Sequence, residues 1–138
     1  MSNRYIVIVG CGRLGSGLAN QLSREGNSVV AIDLHQKGFS ELSADFSGFK
    51  IVGNATEMNV LKEAKLDKAD ILIATTREDN INLMVAQVAA KIFQVPTVMA
   101  RVFDPAREWV YAQMNIKTIC PTTVATELFL SKIHEKKE

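Results

Sequence analysis

Apolar residues along the chain fall into two alternating patterns. Short, nearly continuous runs stand at Arg4–Val9, Ser28–Asp33, Phe49–Val52, Ile71–Thr75, Thr97–Val102 and Lys117–Cys120. Most are rich in Ile and Val without polar alternation, as in strands covered on both faces. Between them the spacing turns helical. Leu14, Leu18 and Leu22 recur every fourth position, and Ile81, Met84, Val85, Val88, Ile92 and Phe93 form a longer stripe. Gly26-Asn27 supplies a stop for the first helix, and Asp104-Pro105 an N-cap with proline at the first helical position. The stretch His35–Gly48 is patterned more weakly, with Phe39, Leu42 and Phe46 suggesting a short helix. The chain contains no repeat, low-complexity tract or linker.

Six strands alternating with helices predict parallel βαβ units with right-handed crossovers. The simplest arrangement is an α/β, Rossmann-type doubly wound sheet in the order 3-2-1-4-5-6, with helices on both faces. Its crevice lies beyond the carboxyl ends of the strands, where the order reverses between strands 1 and 4. A length of 138 residues suits one domain spanning 1–138. A hydrophobic fraction of 47% with 22% charged residues excludes disorder. The net charge of +1 excludes the strongly basic surface of most nucleic-acid binders. No apolar run approaches the roughly 18 residues of a membrane-spanning helix, so direct membrane insertion is not expected. The opening Met1–Arg4 leads straight into a strand and reads as no signal peptide. Cys11 and Cys120 show neither metal-ligand spacing nor a disulfide framework, which suits a reducing cytoplasm.

Candidate chemistry gathers after the strands. Strand 1 runs into Gly10-Cys11-Gly12-Arg13-Leu14-Gly15, a G-x-G-x-x-G loop opening a helix. The first glycine allows the tight turn, the second lets backbone amides approach a phosphate, and the third permits close helix packing. The helix start adds unpaired amides and a positive dipole end. Asp33, 18 residues beyond Gly15 and followed by Leu34, is placed to accept hydrogen bonds from both hydroxyls of an adenosine ribose. Its charge would repel a 2′-phosphate, so NADP is disfavoured. Small residues at Gly53-Asn54-Ala55-Thr56 leave room for an adenine, with Asn54 available to bond it; Thr56 reads equally well as a cap of the next helix. Thr75 and Thr76 face the glycine loop across the switch point, their hydroxyls placed to line the phosphate or second-sugar side. Arg101 ends strand 5 as a cation near the same edge or as half of a salt bridge. Arg13 suits a terminal phosphate, or is a solvated side chain at a helix start. Cys11 reads as a small packed residue or a redox-sensitive thiol.

Taken together, these segments resemble the RCK domains, also termed KTN or TrkA-N. The resemblance rests on Ile6–Gly15, Val29–Asp33, Gly53–Thr56 with Leu61, Ala69–Thr76, Asn80 with Asn82-Leu83, and Val95–Val102 leading to Asp104-Pro105. It implies a cytoplasmic regulatory subunit at the inner face of the membrane, binding NAD(H), ATP, ADP or AMP and gating a membrane-embedded potassium transporter. It implies dimers or rings, of this chain alone or together with a related regulatory subunit. It also implies that Arg13 reaches a terminal phosphate across a subunit boundary and that Asp33 holds the ribose. Asn54 stands where the family usually has Asp, and the smaller C-terminal lobe that usually follows is absent from this chain.

Leu128, Phe129, Leu130 and Ile133 cannot share one narrow stripe, so the last helix, about residues 122–136, is expected to cover a second surface, such as that of a dimer partner. The competing function class is an NAD-dependent oxidoreductase fragment or a redox-sensing protein. A dehydrogenase needs an acid–base group near the nicotinamide. His35 falls at the adenine end, His134 in the terminal helix, Tyr5 at the far end of strand 1, and Tyr111 has no partnering lysine four residues on. No phosphate-binding lysine of the Walker type follows the loop. The sequence therefore reads as a sensor rather than an enzyme.

Overall fold

The computed structural model describes residues 3–135. Its core is a six-stranded sheet of β1 (Tyr5–Val9), β2 (Ser28–Asp33), β3 (Phe49–Val52), β4 (Ile71–Ala74), β5 (Thr97–Arg101) and β6 (Lys117–Ile119). The order is β3-β2-β1-β4-β5-β6 and every neighbouring pair is parallel. The helices are α1 (Arg13–Arg24), α2 (Met58–Glu63), α3 (Asp79–Lys91), α4 (Glu108–Ala112) and α5 (Pro121–Ile133). The doubly wound order expected from the pattern is the one observed, with strand ends within one residue of the apolar runs.

Central β1 explains why that pattern was continuous. Val7 and Val9 face a core with Val30, Ile32, Leu72, Leu61 and Val85, while Ile6 and Ile8 face the other side with Val29 and Ala19. Each such side chain contributes about 1.5–3 kcal/mol of burial. Where the strands end, Val9 lies opposite both Ile32 and Ala74. The three chains therefore leave the sheet at one level, and their loops share a single edge.

The helix stripes differ from expectation. The buried positions of α1 are Gly15, Ser16 and Ala19, whereas Leu14 is exposed and Leu18 and Leu22 pack at the margin. On α3 the buried face is Asn82, Val85, Ala86 and Ala89, while Met84 and Ile92 are exposed. In both cases small residues let the helix axis approach the sheet, and larger apolar side chains spread around the contact. The region His35–Gly48 forms one short 3₁₀ turn, Gln36–Phe39, whose Phe39 is buried beside Cys11 and Ala31 with Leu42 and Phe46 against it. Gly26 stops α1 with φ +92°, and the Asn27 amide and side chain both donate to the Leu22 carbonyl. Asp104 accepts from the Ala106 amide at 3.0 Å ahead of Pro105.

α5 begins at Pro121, directly after β6, and none of its residues is buried. The expected end of this helix near residue 136 lies outside the described residues. No helix among the described residues is long and apolar enough to cross a membrane.

Candidate functional site

The glycine loop turns on Gly10, whose φ of +95° suits a residue without a side chain. Its amide donates to the Ile32 carbonyl at 2.8 Å, and a Cβ there would press on the Thr75–Thr76 peptide. Gly15 has its Cα against the Gly10 carbonyl and the Thr75 hydroxyl, which is what brings α1 down onto the strand ends. Gly12 is different. A Cβ at Gly12 would meet nothing within 4 Å. No packing demand explains that glycine, and as the N-cap of α1 it offers no side-chain oxygen. The first-turn amides of α1 are thus uncapped and open to an anion.

These groups border a cleft of about 640 Å³ that runs from the glycine loop past Asp33 to Asn54 on one side and to Thr76 and Arg101 on the other. Asp33 is held from two directions. Its Oδ2 accepts the Cys11 amide at 2.9 Å and its Oδ1 accepts the His35 amide at 3.0 Å. Gly38 lies so close that a Cβ would overlap the carboxylate. The carboxylate is fixed at the cleft, with lone pairs left for ribose hydroxyls, and Leu34 stands exposed beside it. Cys11 contributes its backbone to the loop, while its side chain is buried with Ala31 and Phe39. Burial, and secondarily the Asp33 charge, pushes its thiol up to about 12. A thiol held neutral in this way has little nucleophilic or redox reactivity.

Asn54 closes its own turn. Its Oδ1 accepts the Thr56 amide at 2.9 Å and the Thr56 hydroxyl at 2.6 Å. Thr56 is therefore not the cap of α2; Glu57 holds that position and makes no side-chain cap bond. The Asn54 turn and the small Ala55 form the far wall of the cleft.

The β4 and β5 ends correct two expectations. Thr75 is buried, and its hydroxyl is directed at the carbonyls of Gly10 (2.9 Å) and Val9 (3.2 Å), so it ties β4 to the glycine loop instead of presenting a donor to the cleft. Arg101 stands at this edge of the cleft as expected of a cation there, and among the described residues it is half of no salt bridge. Its Nη2 donates to the Thr75 and Thr76 carbonyls at 2.6 and 2.9 Å, and its guanidinium lies 4.5 Å from the Phe103 ring centroid. Two carbonyls at a strand end are acceptors in need of donors, and the planar guanidinium supplies them, which holds the Arg101 side chain at the strand end. Burial lowers its pKa, and the nearby Arg77 charge adds to that effect.

Sequence reasoning did not assign a role to Asn82, which proves to be the hub of this edge. It is fully buried at the start of α3. Its Oδ1 accepts the Thr76 amide (2.9 Å) and hydroxyl (2.7 Å), while its Nδ2 donates to the Thr76 and Arg101 carbonyls (3.1 and 3.0 Å). A polar residue on the sheet-facing side of a helix, in line with Val85 and Ala86, was the available signal. Arg13 is exposed at the first turn of α1, and Arg77 is exposed beyond Thr76. Neither makes an ion pair among the described residues.

Away from the cleft, the Tyr5 hydroxyl donates to the Ala64 carbonyl at 2.6 Å and the Tyr111 hydroxyl to the Asp79 carbonyl at 3.0 Å. Both tyrosines are thus committed to the scaffold. Among the described residues no three His, Cys, Asp or Glu side chains are grouped to hold a metal ion.

A glycine loop, an Asp at the end of β2 and a clamped β4 turn are found in many nucleotide folds. The decisive observation is that residues 6–121 match the family model of the TrkA-N domain. The chain belongs to the TrkA-N family. It is 35% identical over 129 residues to the Trk system potassium uptake protein TrkA of Streptomyces coelicolor, covering 94% of this chain and 58% of that protein. This TrkA-N chain thus spans little more than half the length of that relative. Among solved structures, the TrkA-N domain of the inner membrane protein ybaL from Escherichia coli superposes with a TM-score of 0.84 at 19% identity, covering 97% of this chain and 98% of that one. The GsuK channel, solved bound to NAD and bound to ADP, matches with a TM-score of 0.71 at 17% identity. It covers 87% and 86% of this chain, and 22% and 31% of those chains, respectively. At such identities these two likenesses bear on the TrkA-N fold alone.

Proposed function

We propose that this chain is the nucleotide-sensing part of a regulatory subunit that gates a membrane-embedded potassium uptake protein. The observation that carries the nucleotide reading is the pairing of an uncapped α1 start, where Gly12 leaves open space, with a carboxylate held rigidly at the end of β2. The amides of Gly12, Arg13 and Leu14 would hold a phosphate, Asp33 the ribose hydroxyls, and Asn54 and Ala55 the adenine side. An adenine nucleotide or NAD(H) fits this set, while a 2′-phosphate would meet the Asp33 charge. The transport reading is supported by family membership and by the potassium uptake relative.

A sensor must bind its ligand differently in two states. In this reading, phosphate at the glycine loop acts on α1 and, through the Thr75 hydroxyl, on β4. Asn82 and Arg101 then pass the change to β5 and to the chain leading into α4 and α5. The exposed apolar residues of α5 are assigned to contact with a second copy or a related regulatory subunit, with the assembly at the inner membrane face. The TrkA-N family match and the potassium uptake relative favour sensing over hydride transfer. The test is isothermal titration of purified protein with AMP, ADP, ATP and NAD⁺, alongside potassium uptake in cells carrying wild type or Asp33→Ala. The reading expects micromolar nucleotide binding, and uptake that loses its regulation in the variant. Normal regulation by a variant unable to bind any nucleotide would sink it.

A further inference from the structure

Beyond Thr76 the cleft wall carries a cation with no assigned task. Arg77 lines the same cleft as the glycine loop and Arg13, is exposed, and has no carboxylate within ion-pair distance among the described residues. The peptide that bears it is fixed, because Asn82 binds the amide, hydroxyl and carbonyl of Thr76. Arg101 lies close behind, but its Nη2 is spent on the Thr75 and Thr76 carbonyls. Of the nearby acids, Asp79 is occupied by the Phe103 and Asp104 amides, so Glu78 is the neighbouring carboxylate left facing the cleft. Besides Arg101, two further guanidinium groups, Arg13 and Arg77, therefore border one cleft whose floor already presents uncapped amides.

Resting on the nucleotide reading above, we propose that Arg77 determines ligand choice by binding the phosphates beyond the first, so that this cleft selects a nucleoside di- or triphosphate over a monophosphate or a dinucleotide. In a dinucleotide the bridging phosphates are met by backbone amides, and the second half ends in a ribose and a ring that bear no anion to neutralise Arg77. Terminal phosphates bring that charge, and a guanidinium binds their oxygens through paired donors.

The test titrates AMP, ADP, ATP and NAD⁺ into the full chain as wild type, Arg77→Ala, Arg77→Lys and Arg13→Ala. Wild type is expected to bind ATP at least about tenfold tighter than AMP, the scale of one charge-assisted contact. Arg77→Ala is expected to remove most of that preference while AMP affinity stays within about twofold, with Arg77→Lys between. The preference shrinks as salt rises, as charge recognition requires. An unchanged ATP-to-AMP ratio in Arg77→Ala, or tighter wild-type binding of NAD⁺ than of ATP, overturns the proposal. Loss of preference in Arg13→Ala alone assigns the selection to Arg13 and overturns it equally. If wild type binds none of the four, the nucleotide reading itself falls.

Discussion

At Asn82 one buried amide satisfies four backbone and side-chain groups at two strand ends. Asn82→Ala takes away the side-chain partners of the Arg101 carbonyl and the Thr76 amide, while the Thr76 carbonyl keeps the Arg101 guanidinium. The expected cost is roughly 2–4 kcal/mol in denaturant unfolding; a loss below 0.5 kcal/mol would show that water replaces the amide at no cost. The glycine loop makes a paired forecast. Gly15→Ala drives a methyl into the Gly10 carbonyl and the Thr75 hydroxyl and is expected to destabilise by several kcal/mol. Gly12→Ala has room, so its melting temperature should stay within a few degrees of wild type while nucleotide affinity drops at least about tenfold. Equal instability of both variants would contradict the separate roles given to the two glycines. Cys11 makes a third case. Its thiol, pushed up from 9.0 to about 12, keeps its proton in the folded state where the unfolded chain releases it. The stability from this buried neutral group is complete below pH 9 and is lost as pH climbs toward 12. Tyr5 and Tyr111, whose pKa values are also raised by burial, act in the same direction. Alkaline unfolding should therefore be milder in Cys11→Ala, and native protein should resist thiol reagents at pH 8. Full labelling of the native protein would refute this.

At the scale of elements, what could be read from the chain depended on which forces decided each feature. Buried parallel strands cannot alternate, so Ile and Val runs marked the central strands, while the edge strands β3 and β6 are largely exposed and carry that signal weakly; G-x-G-x-x-G marked the one turn where backbone must approach both phosphate and helix. The contact faces of α1 and α3 were legible in part: Leu18, Leu22, Ile81, Val85 and Val88 pack on the core, but closeness, not apolar bulk, decides the centre of each face, and Leu14, Met84 and Ile92 are exposed. Ser16, Ala19, Ala86 and Ala89 carry a weak hydrophobic signal yet sit against the sheet. The directions taken by Thr75 and Arg101 were not legible either. Each satisfies carbonyls that only the folded strand ends bring within reach, and no spacing rule encodes that competition. Asn54 illustrates the same point: its carbonyl oxygen serves the Thr56 turn, which a propensity argument assigns to a helix cap.

For the whole molecule, α5 leaves the carboxyl end of β6, the outermost strand of the sheet. Val124, Leu128, Phe129, Leu130 and Ile133 are all exposed there, with Phe129 and Ile133 each 71% accessible. A double variant, Leu128→Asp with Phe129→Asp, should reduce the sedimenting species to a monomer without altering the far-ultraviolet circular dichroism. A wild-type protein that already sediments as a monomer at tens of micromolar would remove α5 from the assembly proposal. The central claim is that the cleft at the β1–β4 switch point senses a nucleotide. Its most direct test is the melting temperature of purified protein with AMP, ADP, ATP, NAD⁺, NADH and NADP⁺ in large excess, after mass spectrometry of a denatured sample for retained ligand. A ligand at about 100 times its dissociation constant adds roughly 2.7 kcal/mol, several degrees for a domain of this size. We predict such a rise with ATP and ADP, a smaller one with AMP and none with NADP⁺, each at least about halved in Gly12→Ala. No rise with any nucleotide, in protein from which none was retained, would contradict the account.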